Sequence, residues 1–265
     1  MPIQCQHELQ PLDRESFGRL SYEAYADVLS IREELGRFFD EKHYKRALAM
    51  KRSDLLLEVP LQLTHKEFSK TYYLDALLAG GGILEFKAAE RTIPQHRAQL
   101  LHYLILTELH HGLLINVRPE RVTREFINNA MTGSERRVFQ IRRLPPNSTS
   151  GVEPFVQALD ELLQDWGTGL ELSAYEEALT CLLGGTEKVV RPTIVRTASG
   201  EIGTQTLRFI DPETAFKLTS LETATQQASF AKHAQKLVNH LDIKALLWTN
   251  IARRQVTIQL IQHQH

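Results

Sequence analysis

The chain has 265 residues, 42% hydrophobic and 24% charged, with a formal net charge of −1, which fits a globular protein of one large domain or two ordinary ones. No apolar run approaches the roughly 20 residues that cross a bilayer, and the opening MPIQCQHELQ lacks the basic-then-apolar layout of a secretory leader, so a cytoplasmic location is expected. Cys5 and Cys181 are far apart and outside any CxxC pattern, which argues against a disulfide framework or a thiolate zinc site.

The even overall charge hides an uneven distribution. Residues 1–35 carry 3 basic and 7 acidic side chains, residues 36–143 carry 18 and 12, and residues 151–265 carry 10 and 13. Only the middle segment is basic, with an excess of +6. Phosphate-backbone binding needs such a surface, although an ordinary solvated surface fits as well.

In chain order, SYEAYADVLSIREELG predicts a helix with Tyr22, Tyr25, Val28 and Leu29 at helical spacing, and FFDEKHYKRALAMKR continues as a second helix. Tyr22, Tyr25, Phe38 and Phe39 are expected in the core or an interface, with base stacking as an alternative. Strands are predicted over 55–63, 71–79 and 82–90, with Gly80, Gly81 and Gly82 turning the chain between the last two. No helix start follows these glycines, as a phosphate-binding loop would need, and no nucleotide-binding signature occurs elsewhere. Residues 96–109 read as an amphipathic helix with His110 and His111 at its end, 112–117 as a short buried strand, and 135–143 as a final alternating strand. PPNSTSGVEP (145–154) has the composition of a linker, which divides the chain into 1–144 and 151–265.

The same order then restarts. Gly36 and Tyr44 are matched by Gly167 and Tyr175, YKRAL by YEEAL, LLINV by LWTNI with Asn116 against Asn250, and ERRVFQI by ARRQVTI. These matches point to an internal duplication, the alternative being two unrelated segments that share an element order.

Asp75 lies late in its predicted strand, and Glu85 and Lys87 project to one face of the next. A hairpin brings the three together. Two carboxylates are hard oxygen ligands for Mg2+ or Mn2+, and a neighbouring lysine can orient or deprotonate an attacking water, which is equipment for phosphodiester hydrolysis. Charged side chains on an apolar strand are costly unless paired or metal-bound. On spacing alone, however, Glu85 and Lys87 read as a surface pair, because D-x9-E-x-K often arises by accident.

The context decides between these readings. Residues 20–142 resemble the GxxExxR family of the PD-(D/E)XK nuclease superfamily through Gly36, Glu41 and Tyr44, the strand LEVP, LDALLAGGGILEFKA around Asp75, Glu85 and Lys87, HRAQLLHYL around Gln99 and Tyr103, and GLLINV. The resemblance implies an α/β, restriction-endonuclease-like core in which helices flank a mixed β-sheet, here duplicated in tandem. By resemblance Asp75 and Glu85 bind Mg2+ or Mn2+, Lys87 handles the water, Glu41 completes the acidic cluster, Gln99 is catalytic, and Tyr44 and Tyr103 support the site. Where the family commonly has a basic residue two positions before the aspartate, this chain has Tyr73.

In the second half Leu172, Leu207 and Thr219 fall opposite Glu41, Asp75 and Lys87, and Asp211, Glu213 and Lys217 belong to a polar DPET turn without restoring the pattern. Residues 151–265 are therefore expected to be a degenerate, non-catalytic copy that forms an intramolecular pseudo-dimer with the first. The expected activity is metal-dependent hydrolysis of DNA, with RNA left open. The alternatives are a nucleic-acid-binding scaffold with little or no cleavage and a hydrolase of smaller phosphate esters.

Overall fold

The computed structural model describes residues 3–144 and 151–263. Two compact units make up the chain, residues 1–64 with 69–133, and residues 65–68 with 134–265. Residues 145–150 of the expected linker, and the last two residues of the closing QHQH, lie outside the described residues.

The first unit runs β1 (Ile3–Cys5), α1 (Arg14–Leu35), α2 (Glu41–Lys51), β2 (Leu55–His65), β3 (Phe68–Leu78), β4 (Gly82–Lys87), α3 (Pro94–Thr107), β5 (His111–Asn116) and β6 (Thr123–Asn128). The strands form one six-stranded sheet in that same order, with β4 and β5 parallel and β3/β4 and β5/β6 antiparallel. A parallel pair needs a crossover, and α3 supplies it.

Helix α1 starts earlier than its apolar pattern suggested, because Asp13 accepts the Ser16 amide at 2.8 Å and caps the first turn. Its buried stripe is Phe17, Ser21, Ala24, Val28 and Ile31, spaced three and four apart as one helix face requires. That face turns Tyr22 outward at 66% exposure, and Phe38 and Phe39 are also exposed. These three aromatics are not in the core, which leaves an interface or base stacking of the roles expected for them. Tyr25 is half-buried and donates its hydroxyl to Val122 O at 2.9 Å. The stripe of α1 and residues Tyr44 and Leu48 of α2 pack on Ala76, Leu78, Leu84, Phe86, Leu113 and Ile115 from one face of the sheet.

The three-glycine turn is a hairpin, as expected. Gly81 N donates to Leu78 O at 3.0 Å, and Gln10 N donates to Gly80 O at 2.9 Å as the N-terminal segment crosses over it. A Cβ on Gly81 would lie 2.0 Å from Gln10 O, so no larger residue fits that crossing.

The second unit contains α4 (Gly133–Arg136, beginning at the division), β7 (Gln140–Leu144), α5 (Glu153–Trp166), α6 (Leu172–Leu182), α7 (Thr186–Val189), β8 (Val190–Thr197), β9 (Gly200–Phe209), β10 (Thr214–Thr219), α8 (Ala224–His240), β11 (Ala245–Ile251) and β12 (Gln255–Gln262). Its sheet order is β7-β12-β11-β10-β9-β8, with β10 and β11 parallel. The strand expected at 135–143 does not close the first half. Its beginning is the helical turn α4, and β7 pairs parallel with β12, where Gln140 N donates to Arg254 O at 3.0 Å and Ile141 is in register with Val256. The strand that follows β5 is β6, TREFIN, a mostly exposed edge strand.

Two local devices occur in both units. Gly36 and Gly167 end α1 and α5 with φ of 75° and 74°, a left-handed region that favours glycine. Eight residues later Tyr44 and Tyr175 each donate a hydroxyl hydrogen bond of 2.6 Å to that glycine's carbonyl. At the ends of β5 and β11 a buried asparagine braces the loop that leaves the neighbouring strand. Asn116 accepts from Ala89 N at 3.1 Å and donates to Ala89 O at 2.7 Å, while Asn250 does the same with Leu221 at 2.7 and 3.0 Å.

Replacing Asn116 or Asn250 by alanine strands both backbone groups of its loop partner, at a cost of about 1–3 kcal/mol per buried group left unpaired. Each variant is expected to lower the midpoint of chemical denaturation followed by circular dichroism. An unshifted midpoint in either would contradict the bracing role.

Candidate active site

The site begins where two central strands separate. The β3/β4 ladder runs over Leu78↔Gly82, Leu77↔Ile83 and Ala76↔Leu84, and stops there. Beyond it the Phe86 amide donates to Asp75 Oδ2 at 2.8 Å, so a side chain takes the place of a backbone partner. Asp75 Oδ1 accepts from Lys45 Nζ at 2.7 Å, and the same ammonium meets Glu58. Lys45 comes from α2 and is only 5% exposed. Glu58 is half-exposed and sits mid-strand with φ of 51°, a left-handed conformation that non-glycine residues seldom adopt.

On β4 the side chains alternate. Leu84 and Phe86 enter the core beneath α1 and α2, which places Glu85 and Lys87 on the other face. Glu85 is fully buried; its Oε1 accepts from Lys87 Nζ at 2.6 Å, whereas Oε2 is buried with no hydrogen-bond partner among the described residues. Burial pushes Glu85 up to about 7, with the Asp75 charge adding to the rise and Lys87 opposing it. Glu41 opens α2 and is also raised, first by burial; Lys87 and Lys45 lower it, and Asp75 raises it. Glu41, Asp75, Glu85 and Lys87 thus share one electrostatic neighbourhood.

The other expected residues stand further out. Gln99 Nε2 donates to Tyr103 OH at 3.1 Å, and no hydrogen bond links Gln99 to Asp75, Glu85 or Lys87 among the described residues. Tyr44 locks the α1–α2 turn just before Glu41 through its bond to Gly36 O. Tyr73 is 55% exposed. Three residues were missed from the sequence: Lys45, Glu58 and His96, the last lowered by burial and then by the Lys87 and Arg97 charges. Lys45 follows Tyr44 in the YKRAL segment, and nothing in that polar helical run marks one lysine as buried.

Among the described residues no group of three or more His, Cys, Asp and Glu side chains is arranged to hold a metal ion. Asp75 and Glu85 are electrostatic neighbours, and Glu58 is turned to Lys45. Residues 19–128 match the family model of the PD-(D/E)XK nuclease superfamily. Superfamily members are usually phosphodiester hydrolases that use divalent metals, and the matched stretch holds Glu41, Lys45, Asp75, Glu85 and Lys87 and ends with β6. No curated protein and no solved structure matches the chain. No helix among the described residues is long and apolar enough to cross a membrane.

The second sheet has different chemistry at the corresponding places. Lys87 is in register with Asn116 on β5, and Thr219 with Asn250 on β11. The ladder pairs Ala76↔Leu84 and Phe216↔Arg208 then set Leu207 at the position of Asp75 and Lys217 at that of Glu85. Asp211 caps its own turn, accepting from the Glu213 and Thr214 amides at 2.8 Å each.

The raised Glu85 has a signed consequence for stability. A folded-state value of about 7, above the ordinary 4.5, means that the folded protein holds the proton more tightly, so this contribution is complete below about pH 4.5 and is lost as pH rises through 7. In metal-free buffer Glu85→Gln is expected to gain on the wild type between pH 5 and pH 8 by up to roughly 3 kcal/mol. Thermal melts at the two pH values check this, and a constant difference would contradict it.

Proposed function

We propose that residues 19–128 form a divalent-metal-dependent nuclease that hydrolyses DNA phosphodiester bonds. The observation that carries this reading is Glu85 Oε2, buried without a hydrogen-bond partner among the described residues and within reach of the Asp75 charge where β3 and β4 part. An orphaned carboxylate oxygen at full burial is costly unless something binds it, and a hard cation is the matching partner. Asp75 and Glu85 would hold Mg2+ or Mn2+, with Glu41 adding negative charge beside them. When bound, the ion supplies Lewis-acid stabilisation of charge building on the phosphoryl oxygens.

The chain's own residues do the rest. The Phe86 amide and Lys45 fix the Asp75 carboxylate. Lys87, tethered to Glu85 Oε1, keeps N–H donors that could orient an attacking water or meet a phosphate, and once neutral its Nζ could accept the water's proton. The +6 excess over residues 36–143 favours a polyanionic substrate.

We further infer that the second unit is a repeat of a GxxExxR-type core that has lost its acidic cluster. The paired tyrosine–glycine and asparagine–loop bonds support the repeat, and Leu207, Lys217 and Thr219 support the loss. A second reading, a nucleic-acid-binding scaffold without cleavage, is favoured by two features. Lys45 already neutralises Asp75, and the described residues hold no ready three-ligand metal group.

Incubation of labelled single- and double-stranded DNA and RNA with Mg2+, Mn2+ or EDTA tests the proposal. Metal-dependent cleavage of DNA is expected, with losses of at least about 100-fold in Asp75→Ala and Lys87→Ala, the scale of a general acid–base group. No cleavage of any substrate, with no metal binding by calorimetry, would instead establish the scaffold reading.

A further inference from the structure

We propose that Lys45 is a resident internal cation of this site: its ammonium holds the carboxylates together when no metal is bound and sets the affinity for the metal low. The inference rests on the metal-binding reading above and goes on to what regulates the loading of the site.

Lys45 is nearly buried and bonds Asp75 Oδ1 at 2.7 Å while also meeting Glu58. A buried lysine is expensive unless paired, so these contacts specify its place. The backbone agrees, because Glu58 reaches the ammonium from a left-handed conformation at φ 51° in the middle of β2. Glu58 is therefore a counter-ion for Lys45 and is not free as a metal ligand.

Charge balance sharpens the point. With every carboxylate ionised, as a bound cation requires of its ligands, Glu41, Glu58, Asp75 and Glu85 set four negative charges against the two positive charges of Lys45 and Lys87, leaving −2, which one divalent ion balances. Removing Lys45 leaves −3. Any cation that ligates Asp75 also shares a single carboxylate with the Lys45 ammonium, and like charges so close repel. Loss of positional order in a Lys45 variant acts the other way, but Asp75 keeps the Phe86 amide as its anchor. Repulsion is therefore the larger effect, and the ion-free protein binds metal weakly. A phosphodiester brings negative charge of its own and offsets that repulsion, so the metal and the nucleic acid load together.

Calorimetric titration of the full chain with MnCl2, without nucleic acid, tests this in the wild type, Lys45→Met, Lys45→Arg, Glu58→Gln and Asp75→Asn. Lys45→Met is expected to bind Mn2+ at least about tenfold more tightly than the wild type, Lys45→Arg to remain close to it, and Glu58→Gln to bind more weakly. In EDTA, Lys45→Met is expected to melt lower than the wild type and to recover more on addition of Mn2+. If Asp75→Asn abolishes binding but Lys45→Met binds no more tightly than the wild type, Lys45 is only a brace and the proposal is overturned. If no variant binds Mn2+ at all, the metal-site reading itself has failed. Should Lys45→Met not fold, wild-type affinity in Glu58→Gln is enough to reject the proposal.

Discussion

One hydrogen bond organises the first unit's chemistry: the Phe86 amide on Asp75 Oδ2, made where β3 and β4 cease to pair. A continuous ladder would satisfy that amide with a backbone carbonyl and leave no gap between the strands. Because the ladder stops at Ala76↔Leu84, a carboxylate on one strand caps the backbone of the other, and the next outward-facing residue on β4, Glu85, is drawn into the same buried place. The parallel partner β5 and the Asn116 brace then hold the exit of β4, so that Lys87 and the Ala88–Ala89 loop start from a fixed position.

This arrangement carries a cost in stability. Glu85 is fully buried with one oxygen on Lys87 and the other without a hydrogen-bond partner among the described residues, and burial pushes its carboxyl up to about 7. A structural carboxylate would instead be paired on both oxygens or replaced by an apolar residue. Perturbed carboxylates in a shared cluster are a mark of functional sites, although structural ion-pair networks perturb them too. The second unit offers a comparison. With Leu207 and Lys217 at the register positions of Asp75 and Glu85, its sheet has the parallel central pair and the asparagine brace without those two carboxylates.

Much of this was legible in the sequence, for definite physical reasons. The period-two alternation of GILEFK and the glycine turn before it placed Asp75, Glu85 and Lys87 on a hairpin, and the matched Gly–Tyr spacings mark the tyrosine-to-glycine bond that each unit makes. The edge strand β6 escaped notice because TREFIN buries almost nothing and so carries little apolar signal. The segment 135–143 misled because its alternation fits a strand in either sheet, and only the pairing with β12 assigns it. Lys45 and Glu58 were invisible for a different reason. Helical periodicity identifies apolar faces, whereas a buried lysine depends on two acids from separate strands, one of them in a left-handed conformation that no local pattern announces.

The central claim is that the orphaned oxygen of Glu85 and the carboxylate of Asp75 hold a divalent cation. The most direct test is anomalous diffraction from crystals of the full chain soaked in MnCl2. The account predicts a manganese peak in the first unit within ligand distance of both Asp75 and Glu85 Oε2, and none at Leu207 and Lys217 in the second. Manganese absent from the first site, with Glu85 Oε2 bonded to an ordered water or carrying a proton, would contradict it.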